Sequence, residues 1–108
     1  MVDRHSPPWE TQEIRDLLQT ILSLRDLGEA ESFFRDLCTL GELEAMGHRW
    51  TVAKLLDDGN LSYHEIAERT GASTATVTRV AHWLRHGEDG YQLALDRRRR
   101  KTRRARTA

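Results

Sequence analysis

Apolar residues in this chain recur three and four positions apart, and no run alternates with period two for long enough to form a strand. That pattern confines the fold to packed helices: the chain is all-α. Ile14, Leu17, Leu18, Ile21 and Leu22 predict a helix over 10–24. It follows an extended lead, 1–9, in which Ser6-Pro7-Pro8 is kept from helical angles by proline. Gly28 breaks the pattern, and Ala30, Phe33, Phe34 and Leu37 then form a second stripe. Thr39-Leu40-Gly41-Glu42 has the form of a capping box opening a helix over 40–57. Its inner face is expected to carry Leu43, Met46, Trp50, Ala53 and Leu56. Asp57-Asp58-Gly59-Asn60 stops it, since glycine or asparagine takes the left-handed angles of a helix end.

The most informative stretch is 61–85. Ser62-Tyr63-His64-Glu65 is a second capping box, opening a short helix to about Arg69. Thr70-Gly71-Ala72 makes a tight turn, and Ser73 caps a helix from Thr74 to about Arg85. Leu61, Ile66, Ala67, Gly71, Val77 and Leu84 fall where a helix-turn-helix needs them. Ala67 is small where the helices cross, Gly71 supplies the sharp turn, and Ile66, Val77 and Leu84 bury the pair. The opposite face reads Ser73, Thr74, Ala75, Thr76, Thr78 and Arg79. Short hydroxyl side chains let a helix end approach DNA and bond bases or phosphates, and the Ala75 methyl suits thymine. A helical hairpin used only for packing is the competing reading. Gly87-Glu88-Asp89-Gly90 ends this helix, and Tyr91, Leu93 and Leu95 suggest a last short one.

Size and charge narrow the function. With 108 residues the chain holds one domain, 10–96, and its 38% apolar share lies below the usual value of about 45–50%. So thin a core makes pairing with a second copy an expectation. The net charge of zero conceals a split. Arg97, Arg98, Arg99, Arg100, Lys101, Arg103, Arg104 and Arg106 lie in a final segment, 97–108, that holds no acid. Positions 1–96 then carry nine basic against seventeen acidic residues. The segment has no large apolar residue, so it is expected to be a disordered arm that tracks phosphates. A merely solubilising tail is the alternative. No run approaches the roughly 20 apolar residues of a membrane span, and the start shows no apolar signal segment. A cytoplasmic, nucleoid-associated protein is expected, with no membrane partner. Cys38 alone forms no internal disulfide and reads as a packing residue. His82 and His86 have metal-ligand spacing, but no third ligand lies nearby in sequence, so no metal or other cofactor is expected. Ser62 and Ser73 are explained as caps and no phosphate cradle follows a strand, which argues against an enzyme.

Leu40-Gly41-Glu42-Leu43-Glu44-Ala45-Met46-Gly47-His48-Arg49, Gly59-Asn60-Leu61-Ser62, Glu65-Ile66 and Gly71 through Arg79 together resemble the Trp repressor superfamily. Within it they are most similar to the YerC/YecD-type Trp repressor-related proteins, over roughly 10–90. The resemblance implies an intertwined homodimer with two helix-turn-helix heads facing double-stranded DNA. It also implies that Arg49 and Arg79 match the arginines that sandwich a tryptophan corepressor and hold its carboxylate. Val80 stands where the repressor has glycine, and Trp83 where it has a serine that meets the ligand's amino group. The pocket therefore reads as vestigial, with Trp83 as a built-in plug, and L-tryptophan is not an expected ligand.

The expected function is a sequence-specific transcriptional regulator. Thr74, Ala75, Thr76 and Arg79 would enter the major groove, and Tyr63, His64 and Arg69 would flank it. A helical protein-interaction module, or a non-specific nucleic-acid binder using the basic tail, competes with that reading.

Overall fold

The computed structural model describes residues 7–107. The described residues form helices joined by short loops, with no strand among them. They are α1 (Gln12–Leu22), α2 (Leu27–Leu37), α3 (Leu40–Asp58), α4 (Tyr63–Thr70), α5 (Thr74–His86) and α6 (Gly90–Thr107). Two compact units divide between Leu40 and Gly41.

In the first unit, Glu10 N donates to the Pro7 carbonyl at 3.0 Å, so Pro7–Glu10 is a turn rather than extended chain. The rest of the expected lead, 1–6, lies outside the described residues. The Thr11 hydroxyl caps α1 by accepting from Ile14 N at 3.2 Å. Gly28 does not break the chain. It sits in the first turn of α2, because Asp26 accepts from Glu29 N at 2.9 Å and starts that helix two residues earlier. Neither helix buries a residue. Leu22 is 84% exposed and Leu37 49%, so apolar faces that periodicity assigns to a core stand uncovered in one chain.

The second unit holds the core. Val52 and Ala53 from α3, Ile66 and Ala67 from α4, and Val77 and Val80 from α5 pack together, with Trp50, Leu56, Leu61, Tyr63 and Tyr91 against them. Ala53 and Leu56 take their expected places, but Met46 is exposed. Helix α3 runs one residue past the expected end, to Asp58, before Gly59 turns the chain at φ +72°. Among the described residues, no helix is long and apolar enough to cross a membrane.

The largest departure from expectation is at the C-terminus. The expected arm is helical: α6 runs unbroken for 18 residues, about 27 Å at 1.5 Å per residue. The expected boundary at 96/97 therefore lies inside a helix. Leu95, fully buried, anchors it. Arg99 is hydrogen-bonded to Asp57 at the end of α3, and Asp96 lies 3.2 Å from Arg100. Arginine is also a good helix former, and Arg104 and Arg106 in the last turn suit the negative end of the helix dipole.

Candidate nucleic-acid interface

Local hydrogen bonds between close neighbours fix the α4–α5 hairpin. Ser62 Oγ accepts from Glu65 N at 3.1 Å, and Glu65 Oε1 accepts from Ser62 N at 2.9 Å, completing the capping box. These two bonds, then the charges of Arg69 and His64, hold the Glu65 carboxyl below its ordinary value of 4.5. The cap is therefore intact above that value and is released only as pH falls through the lowered one. At the turn, Thr70 Oγ1 donates to the Ile66 carbonyl at 2.8 Å and accepts from Ala72 N at 3.2 Å. Gly71, at φ +79°, donates its N–H to the Ala67 carbonyl at 3.0 Å. A side chain there is strained in the left-handed region. Gly71→Ala is expected to cost about 1 kcal/mol, read by denaturant unfolding; an unchanged midpoint would show that the turn tolerates a Cβ.

Ser73 Oγ then accepts from Thr76 N at 3.1 Å and starts α5. Past this cap, Ser73, Thr74, Ala75, Thr78 and Arg79 are exposed along one edge, while Val77, Val80 and Ala81 are buried behind it. The structure sorts the expected contacts. The Thr74 hydroxyl has no partner among the described residues, at the helix end whose dipole favours phosphate. Thr76 is half-buried and shares a 3.0 Å hydroxyl–hydroxyl bond with Ser73, while the Thr78 hydroxyl donates back to the Thr74 carbonyl at 3.0 Å. Tyr63 packs against the core rather than standing free to flank a duplex. His64 lies 2.9 Å from Glu68 on its own helix face, and Arg69 is exposed.

Next to this exposed edge lies a cleft of about 410 Å³ lined by Arg49, Arg79, Val80, Trp83, Glu88, Gly90 and Tyr91. The fold thus brings Arg49, Arg79, Val80 and Trp83 together. In one chain the Trp83 indole is 49% exposed and stands on the wall of this cleft. At the end of α5, Gly87 lies so close to Trp83 that an added Cβ would come within 2.9 Å of its ring. Tyr91 stacks on Trp50 with ring planes 9° apart and forms the far side. Glu88 and Tyr91 escaped sequence reasoning because they join the cleft only across a loop. A second, smaller cleft of about 140 Å³, lined by Ala45, His48, Arg49, Ala72, Thr76 and Arg79, connects the turn to α3.

Comparison with known proteins agrees with this geometry. The family model described as Trp repressor protein matches residues 12–99. The uncharacterized protein YerC of Bacillus subtilis (strain 168) is 49% identical over 86 residues, covering 80% of this chain and 82% of the relative. The Trp operon repressor homolog of Chlamydia trachomatis serovar L2 is 30% identical over 83 residues, covering 73% and 88%. Among solved structures, a TrpR like protein from Eubacterium eligens superimposes with a TM-score of 0.77 at 48% identity, covering 82% of this chain and 90% of that one.

Proposed function

Because the chain belongs to the Trp repressor family, we propose that it is a homodimeric, sequence-specific DNA-binding transcriptional regulator. The exposed edge of α5 carries this reading: Thr74, Ala75 and Arg79 stand at the start of a rigidly capped helix, where a major groove admits them. The chemistry is binding rather than group transfer. Thr74 contacts a base edge or phosphate, Ala75 offers a methyl, and Arg79 and Arg69 supply charge. Thr76 braces the start of α5 through its bond to Ser73, and Tyr63 packs against the core.

The uncovered apolar residues of α1 and α2, Leu18, Leu22, Leu27 and Leu37, support pairing, because a second copy would bury them. Leu18→Glu with Leu22→Glu is expected to convert a dimer into a monomer by light scattering. A wild-type monomer at tens of micromolar would refute the pairing. Two heads on one axis read half-sites with centres about 34 Å apart. Val80 and Trp83 differ from the tryptophan-binding pattern of the family, so the regulator acts without L-tryptophan. Micromolar L-tryptophan binding by calorimetry would contradict this.

The cations of α6 add affinity without specificity, each neutralised phosphate contributing about 0.9 to the slope of log K against log salt. Deletion of 97–108 is expected to flatten that slope in a mobility-shift titration while leaving the preferred site unchanged. A full slope after deletion would remove α6 from the interface. Sequence-selective retention over competitor DNA supports a regulator, and retention indifferent to sequence supports a non-specific binder.

A further inference from the structure

A third cleft lies away from the reading edge, between the C-terminal end of α3 and the second half of α6. It measures about 440 Å³ and is lined by Asp58, Arg98, Arg99, Thr102, Arg103 and Arg106. Helical spacing puts these α6 residues on one side: Arg98, Thr102 and Arg106 follow at four-residue steps, with Arg99 and Arg103 beside them. Four guanidinium groups and a hydroxyl therefore converge on one concavity. Only Asp58 among its walls is acidic, and Asp57 beside it already binds Arg99.

We propose that this cleft is a binding site for a compact polyphosphate anion, such as the triphosphate of a nucleotide or an inorganic tripolyphosphate. Guanidinium forks match phosphate oxygens in pairs, and several charges on adjacent phosphates can be met at once inside one concavity. A duplex presents its phosphates singly along a convex edge, which suits a rod-like basic face better than a recess. The volume falls in the range of small-molecule sites, about 300–1,000 Å³. The walls are charged and contain no aromatic residue, so the phosphates and not a base are what the site recognises. Asp58 is the one carboxylate on the wall, so its charge opposes an anion there while the four guanidinium groups favour it. The inference draws on arginines that the DNA-binding reading also counts among its α6 cations, but each is read by its own binding measurement, so the two can fail separately.

The test is calorimetric titration of the full-length protein with sodium tripolyphosphate and, separately, with ATP, at physiological salt. One saturable site per chain is expected, with the two probes agreeing within about threefold because the base is not read. Arg98→Gln with Arg106→Gln should weaken binding at least about tenfold, since two charge-assisted contacts are lost. Arg97→Gln with Lys101→Gln, an equal loss of charge outside the cleft, should leave it within about twofold. Asp58→Asn should tighten it, because the competing carboxylate is gone. Circular dichroism checks that each variant keeps its helix content. Absence of saturation by either probe at millimolar concentration overturns the proposal. So does equal weakening by the two arginine–lysine pairs. A strong preference for ATP would overturn the phosphate-only recognition. If Arg98→Gln with Arg106→Gln weakened only duplex binding, the arginines would belong to the DNA interface, and the proposal would fail.

Discussion

Ile66→Ala should lower the stability of the second unit by about 2–5 kcal/mol, with the reading head failing along with the core. Ile66 is fully buried, and it is the larger of the two α4 side chains in the cluster with Val52, Val77 and Val80. Its loss leaves a cavity between the very helices whose crossing presents Thr74. A natural domain has only about 5–15 kcal/mol to lose, and the small cluster here has few neighbours that can collapse into the gap. In thermal unfolding followed by circular dichroism, the midpoint should fall by at least about 10 °C. Specific DNA binding should weaken in step at temperatures near the new midpoint. A midpoint within about 2 °C of wild type would mean that the cluster does not set the stability of the hairpin.

Thr74→Tyr should leave stability nearly unchanged and remove site preference. The side chain is exposed on the first residue of α5, so no core contact is lost. A phenol ring there holds the backbone of the helix end away from the groove floor, and every base contact that depends on close approach is lost with it. Specific binding exceeds non-specific binding typically by about 10³–10⁷, so the discrimination at stake is at least about a hundredfold. Binding at low salt should survive, because the cations of α6 are untouched. Loss of all binding would point to a folding defect, which the unfolding midpoint reveals. Retained preference would place the reading edge elsewhere.

What could be read from the sequence follows from how local each interaction is. The α4–α5 hairpin was legible because its determinants are neighbours: Ser62 with Glu65, Ser73 with Thr76, and Gly71 between two short helices. The α6 helix was not, since Arg99 finds Asp57 across 42 positions of sequence and composition alone describes the segment as free chain. Gly28 misled for the opposite reason, because Asp26 caps α2 strongly enough to take a glycine into its first turn. The arginines and Trp83 of the main cleft were named in advance, but its openness was not. How far an indole at position 83 fills a cavity depends on the placement of the surrounding elements, which periodicity does not encode. Thr76 and Thr78 share a helix face with Thr74 in sequence, and only side-chain hydrogen bonds reveal that their hydroxyls are already engaged.

Selection of bound fragments from a random duplex library, run in parallel with wild-type protein and Thr74→Tyr, bears most directly on the account. Wild type should enrich a near-palindrome whose half-sites are centred about 34 Å apart, and the variant should enrich nothing beyond charge-driven background. Failure of the folded wild-type protein to enrich any sequence, or recovery of the same motif by Thr74→Tyr, would contradict a reading head built on the exposed start of α5.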